Sequence, residues 1–352
     1  MRVKTFTLLV MAVLMTTSLL YGQTARVQII HNSADAAAQQ VDVYLDGSLL
    51  VDDFAFRSAT PFIDAPADAA VHVGIAPQNS TSVDDTIYNA TVTFTSDETY
   101  VVVANGIISG SGYSPAVPFD LYVYAMGQEE AQAAGETDVL VFHGSTDAPV
   151  VDVAEPELAL GLLDDLAYGD FSPGYLNLVT NDYSLQVQNA EGTAAVAQYG
   201  APLATLGLED SAMVVVASGF LDPTANSDGP AFGLYAALPE GGALVELPQE
   251  DLSTSYVQVI HNAADLGAQT VDVWQNDQLL IDDFAFRTAS PFVELTAGIE
   301  FDIVVQPPTS TDTTGALFRK SFTLAGNTDY ILVANGIVSG SGYSPAQPFD
   351  IY

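Results

Sequence analysis

The stretch Val27-Gln28-Ile29-Ile30-His31-Asn32 returns 230 residues later as Val257-Gln258-Val259-Ile260-His261-Asn262. Asp52-Asp53-Phe54-Ala55-Phe56-Arg57 returns unchanged as Asp282 to Arg287, and Val103-Ala104-Asn105-Gly106-Ile107 as Val333 to Ile337. The offset is constant, so two copies align without a gap from Val27 to Tyr122. A third, more divergent copy lies between them, with Val141-Phe142-His143, Val151-Asp152-Val153 and Val214-Val215-Val216-Ala217-Ser218-Gly219-Phe220. Long-period self-similarity marks an array of like units, here about 100 residues each, a common domain size.

Inside each unit the apolar residues alternate. Ala25–Ile30, Val41–Leu45, Val71–Ile75 and Thr91–Phe94 read as strands with one buried face. Tyr100-Val101-Val102-Val103-Ala104 is continuously apolar and reads as a central strand covered on both faces. Asp46-Gly47 between two apolar runs predicts a hairpin turn, since glycine accepts positive φ. The expected fold is all-β: three tandem immunoglobulin-like β-sandwich domains, with small β-barrels as the alternative. Helical periodicity is confined to the N-terminus and Glu129–Ala134.

The expected boundaries are a signal peptide at 1–23 and repeats at 24–127, 138–238 (the divergent one) and 254–352. Gln128–Thr137 and Pro239–Ser255 read as linkers, being polar or rich in Pro, Gly and acids. Identity between the outer copies is uneven. It is 23 of 36 from Val27 to Phe62, 5 of 36 from Asp64 to Thr99, and 18 of 23 from Tyr100 to Tyr122. Duplication followed by even drift does not produce that profile.

Arg2 and Lys4 precede an apolar run from Phe6 to about Leu20, the pattern of a cleaved export signal with a cut after Gly22 or Gln23. No later segment reads as a transmembrane helix. A secreted or cell-surface location is expected, with the periplasm also open. Removing the signal leaves 44 acids against five bases. Such a surface repels phosphate and excludes nucleic acid as a partner. With no cysteine, disulfides, zinc–thiolate centres and cysteine nucleophiles are excluded. The expected partner is an extracellular protein or polysaccharide.

The order of motifs is distinctive: a strand ending in His with an Asp soon after, Val-Asp-Val-Tyr-Leu-Asp-Gly, Phe-Ala-Phe, Ser-x-x-Pro-Phe, and a late Val-Val-Val-Ala-Asn-Gly. It resembles the domain-of-unknown-function 4397 family, found in exported bacterial and archaeal proteins, often in tandem. The resemblance covers nearly all of the chain after the signal. The middle copy departs from it, with Gly169 where Arg57 and Arg287 stand. What it implies is an extracellular β module with no catalytic activity attached.

Candidate chemistry centres on repeated positions. His31, His143 and His261 are each followed four residues later by Asp35, Asp147 or Asp265, and then by Asp42, Asp152 or Asp272 between two valines. His31 with Asp35, and His261 with Asp265, are weak metal-site candidates. The structural reading has His31, His143, His261, Asp42, Asp152 and Asp272 fixing strands and turns, and no metal or cofactor. It is favoured because no nucleophile recurs beside them. His72 stands alone, with Asp302 at its place in the third copy. Arg57 and Arg287 bracket 229 residues without Lys or Arg. Each could clamp a carboxylate ligand, or pair with an Asp of its own domain such as Asp35 or Asp42. The loop Ser109–Ala116 recurs unchanged as Ser339–Ala346, making Tyr113 and Tyr343 candidate ligand contacts. Asp222 to Asp228 has the alternating oxygens of a calcium loop without the EF-hand spacing.

These readings point to an exported, non-enzymatic binding or structural module. A lectin-like carbohydrate binder and an extracellular hydrolase are the rivals. The charge carries a testable consequence. The middle repeat has no Lys or Arg, so internal ion pairs cannot offset the repulsion among its acids. The melting temperature should rise between about 0.1 M and 1 M sodium chloride, as the Debye length falls from about 10 to about 3 Å. A flat melt would show the acids too far apart to repel.

Overall fold

The computed structural model describes residues 23–352, so the export signal read at 1–23 lies outside it except for Gln23. Nine strands build the first repeat: β1 (Thr24–His31), β2 (Gln40–Leu45), β3 (Ser48–Ala55), β4 (Ser58–Ala59), β5 (Ile63–Pro66), β6 (Ala70–Pro77), β7 (Tyr88–Thr93), β8 (Thr99–Asn105) and β9 (Asp120–Ala125). β1 and β8 run parallel at the centre of one sheet, with β4 and β5 on one side and β9 on the other. The other sheet is antiparallel in the order β3-β2-β6-β7. The hairpin expected at Asp46-Gly47 joins β2 to β3, with φ of 47° and 81° at the two turn residues, which suits the right-handed twist.

The same parallel pairing recurs further along. Glu136–His143 lies beside Ala212–Ser218, and Thr254–His261 beside Asp329–Asn335. Among the described residues there are six sheets, each open at its edges. The architecture is therefore β-sandwich, and the barrel alternative falls. Glu129–Ala134, expected to be helical, is not: Arg26 holds Glu129, and the Ala131 and Gln132 amides donate to the Asp210 carbonyl and the Asp138 carboxylate.

Alternation on β1 decides what packs where. Val27 and Ile29 face into the first sandwich, Ile29 against Val41, Val43 and Phe54. Ile30, Val101 and Val103 face the other way and are still fully buried, under Leu140, Phe142, Val214 and Val216 of the middle repeat. The continuous apolar run of β8 is thus covered on both faces, and its outer cover is another repeat.

The stretch read as a linker at Pro239–Ser255 is woven into the sheets. Gly242–Ala243 adds to β4, Val245–Glu246 to Gly233–Ala237, and Gln249–Glu250 to Ala195–Pro202. Leu244 and Leu247 are buried beneath it. Its short apolar run is the reason: those side chains gain more by closing sheet edges than by staying in water. The middle and last repeats meet differently, through polar contacts. Buried Gln186 and Gln188 donate to the Ala297 and Gly298 carbonyls at 3.1 and 2.8 Å.

Phe142 is fully buried between the first two repeats. Phe142→Ala should cost about 3–5 kcal/mol. The sole tryptophan, Trp274, reports on the third repeat alone. Its fluorescence melt should stay within a degree or two of wild type while the far-ultraviolet melt drops. A Trp274 transition that falls in step would show all three repeats unfolding as one.

Candidate functional site

The repeated histidines end the first strand of each repeat. Their rings are buried, and each Nε2 lies on a backbone carbonyl: His31 on Ala38 at 2.6 Å, His143 on Pro149 at 2.9 Å and His261 on Ala268 at 2.7 Å. A carbonyl only accepts, so each Nε2 carries a proton. His31 also packs on Phe54 at 5.6 Å, as His261 does on Phe284 at 5.7 Å. Desolvation lowers the His31 pKa to about 4, against the bond to Ala38, and pushes His143 and His261 down as well.

Asp35 is buried and accepts from the Ala37, Ile108 and Ser109 amides, the Ser109 hydroxyl and the Tyr113 hydroxyl, all within 3.0 Å. Asp265 repeats the set with Gly267, Val338, Ser339 and Tyr343. Burial alone would raise both carboxyls, but these donors together hold them below the usual carboxylate range. Asp147 does the same work in the middle repeat, taking the Leu221 and Asp222 amides and the Asn226 carboxamide. One carboxylate thus pins the late loop of every repeat, buried as Asp35 and Asp265 in the outer two and half-buried as Asp147 in the middle one. Gly106 opens that loop at φ +100°, where a Cβ would lie 2.5 Å from the Pro118 carbonyl oxygen, so glycine is required.

Tyr113 and Tyr343, read as candidate contacts, therefore have committed hydroxyls. Each donates to its aspartate and accepts an amide, Ala36 at 2.9 Å or Leu266 at 2.8 Å. Tyr113 also stacks near Phe220, and its loop joins the next repeat. Ser114 donates to Asn226 at 2.8 Å, and Ser227 to the Gly112 carbonyl at 2.7 Å. Asp222 caps the turn Pro223–Ala225 through the Thr224 and Ala225 amides, and Asp228 is exposed at φ +51°.

Arg57 does not pair with Asp35 or Asp42. Its guanidinium crosses to the middle repeat, donating to the Ser218 hydroxyl at 3.0 Å, the Ala231 carbonyl at 2.8 Å and the Tyr235 hydroxyl at 2.6 Å. It also lies 3.9 Å over the Tyr235 ring. Asp35 is saturated by backbone and hydroxyl donors, while the neighbouring repeat offers oxygens and a ring face. Arg287 is exposed and stacks on Phe286 at 4.9 Å.

The sequence reading passed over Asp52-Asp53, Asp164-Asp165 and Asp282-Asp283. Each pair gathers with Asp42, Asp152 or Asp272 so that one oxygen per carboxylate lies within 4.8 Å of the others. The signal was available, an Asp-Asp pair at one position in all three copies. Asp42 and Asp272 each cap the bulge opposite, accepting the Asp53 or Asp283 amide at 3.0 or 3.1 Å. Burial raises the Asp152 carboxyl, with Asp164 and Asp165 adding repulsion. Among the described residues, these acid groups include none of His31, His261, Asp35, Asp265, Asp222 and Asp228. The internal apolar spaces of the first and middle repeats are about 40 and 50 Å³, far below what a small-molecule ligand fills.

The depressed histidine pKa fixes a pH dependence. The unfolded ring takes a proton near pH 6.5 and the folded His31 only near 4. The stability from the neutral ring is full above 6.5 and is lost as pH falls toward 4. His31→Gln keeps a donor for Ala38 and removes the titration. Its melting temperature should fall less steeply than wild type between pH 6.5 and 4. Parallel slopes would show that His31 titrates normally.

No curated protein matches the chain. Among solved structures, "The Bacillus anthracis TIE protein" is 8% identical with a TM-score of 0.17, over 90% of this chain and 50% of that one. The chain thus spans about half the length of that structure. The family described as "Domain of unknown function (DUF4397)" matches residues 25–154 and 255–347, more than half of the chain. With that match and the β-sandwich architecture it accompanies, this chain belongs to the DUF4397 family.

Proposed function

We propose that the protein is an exported, non-enzymatic module that works by association at the cell surface or outside the cell. The observation carrying this reading is that its most chemically capable side chains are already used. The three histidine rings bond backbone carbonyls, and Asp35 and Asp265 are filled by five donors each. A general base needs a nitrogen or oxygen within reach of substrate, and the unpartnered Nδ1 atoms of His31 and His143 are buried away from solvent. Association is supported by the contact within this chain, where aliphatic, Arg and Tyr side chains are buried between the first two repeats. A protein partner fits this better than a polysaccharide, because the sole Trp is buried and bonded to Ser310 rather than exposed as a stacking platform. The DUF4397 membership adds a β module without an assigned activity.

Expression of the full chain in a bacterial host tests both halves. The chain should be recovered outside the cytoplasm with its N-terminus at Gln23 or Thr24, by intact mass. Ester, glycoside and peptide substrates should give no turnover that His31→Gln or Asp272→Asn abolishes. An uncleaved cytoplasmic chain, or turnover lost in either variant, would sink the reading.

A further inference from the structure

The contact between the first two repeats is built from equivalent positions on both sides. Strand registers match Ile30, Val101, Val103 and Tyr122 of the first repeat to Phe142, Val214, Val216 and Tyr235 of the middle one. All eight lie in or against one cluster. The polar contacts are also reciprocal. Arg57 sits on Tyr235, and Gly169, at the Arg57 position, sits against the Tyr122 ring. Asn32 donates to the Ala217 carbonyl at 3.1 Å, and Asn105 to the Gly144 carbonyl at 2.9 Å. Ala217 stands where Ala104 does, and Gly144 where Asn32 does, so the second bond follows the first with its donor one residue further on, at Asn105. A position that meets its own counterpart lies on a pseudo-twofold axis, so the face is self-complementary.

Among the described residues, nothing covers the same face of the third repeat. Gln258, Ile260, Arg287, Phe292, Val333 and Tyr352 repeat Gln28, Ile30, Arg57, Phe62, Val103 and Tyr122 residue for residue. Val101 is fully buried, whereas its counterpart Ile331 is 54% exposed, and Phe292 is 48% exposed. Asn262 and Asn335 are exposed as well, where Asn32 and Asn105 are buried. None of these positions is a carboxylate, in a chain with 44 acids. Identity is retained in the two segments that build this face and lost from Asp64 to Thr99, which supplies most of the opposite sheet's far strands.

We infer that the third repeat pairs with the third repeat of a second copy of this chain, using the geometry that joins the first two repeats. Arg287 of each copy then stacks on Tyr352 of the other, applying the Arg57–Tyr235 contact twice. Ile260, Ile331 and Val333 form the dry centre, and the two Asn262 side chains meet near the axis. The middle repeat's matching face is not available, because the first repeat of its own chain covers it. The inference takes from the proposed function only that the face is an association surface, and a monomeric protein would leave the export and activity tests standing.

Sedimentation of residues 24–352 tests it. A concentration-dependent dimer is expected, tightening with sodium chloride as the acid rims are screened. Ile331→Asp should shift the equilibrium to monomer by at least tenfold, with the Trp274 melt of the monomer unchanged because the site is exposed. Should Ile331→Asp misfold, Asn262→Cys in this cysteine-free chain provides a second route. Mild oxidation should cross-link two copies through position 262, because counterparts near the axis fall within disulfide range. Asp277→Cys, in the distant hairpin turn, should not cross-link. A monomer at every concentration, a dimer indifferent to Ile331→Asp, or equal cross-linking at 262 and 277 would each overturn the inference.

Discussion

Everything in this fold hangs on the parallel pair β1–β8 and its need for cover on both faces. A strand reading Tyr-Val-Val-Val-Ala has no polar face to give to water. One side finds its partner in the opposite sheet of its own sandwich. The other finds it in the middle repeat, and that second burial draws in the rest. Arg57 turns away from the acids of its own repeat because the partner offers Tyr235 and two carbonyls. Asn32 and Asn105 can be buried because the partner's backbone accepts their protons. The Pro239–Ser255 strap then closes the edge at β4.

A second economy lies in the loop-pinning aspartates. A single carboxylate in each repeat gathers the amides of a late loop that would otherwise have unpaired donors at the end of the sandwich. Protonating Asp35 or Asp265 would release several charge-assisted bonds at once, and the same donors hold these two carboxyls below the usual range. The His and Asp of each pair, which look catalytic in one dimension, thus bond to separate partners. The imidazole fixes the start of the loop after the first strand, and the carboxylate fixes the late loop.

The fold class, the repeat and the doubly covered strand were legible because each depends on local period and composition. Asp46-Gly47 announced its hairpin through backbone geometry alone. Arg57 was not legible, since its partners lie 161 to 178 residues away on a different repeat. The Pro239–Ser255 strap was read as a linker because its strands are two residues long and alternation needs more than that to show. The Asp42–Asp52–Asp53 gathering was hidden by a bulge. Asp53 takes a left-handed φ of 51°, which sets two adjacent acids beside a third across the ladder.

The uneven identity between the outer repeats acquires a physical reading from these contacts. Strands β6 and β7 ask only that alternate residues be apolar, so many sequences satisfy them, and they have drifted. The segments Val27–Phe62 and Tyr100–Tyr122 supply most of β1, the β2–β3 hairpin, β4, the pinned loop, β8 and the first half of β9. In the first repeat these positions meet a particular partner surface, where the loss of one hydrogen bond leaves a buried group unpaired. In the third repeat the equivalent Arg287 and Phe292 are exposed, and Arg287 rests on Phe286 of its own repeat rather than on a neighbour. Packing within the repeat therefore accounts for the strands and for the Asp265 loop, but it does not account for an Arg, an Asn pair and an aromatic rim kept identical on an open face.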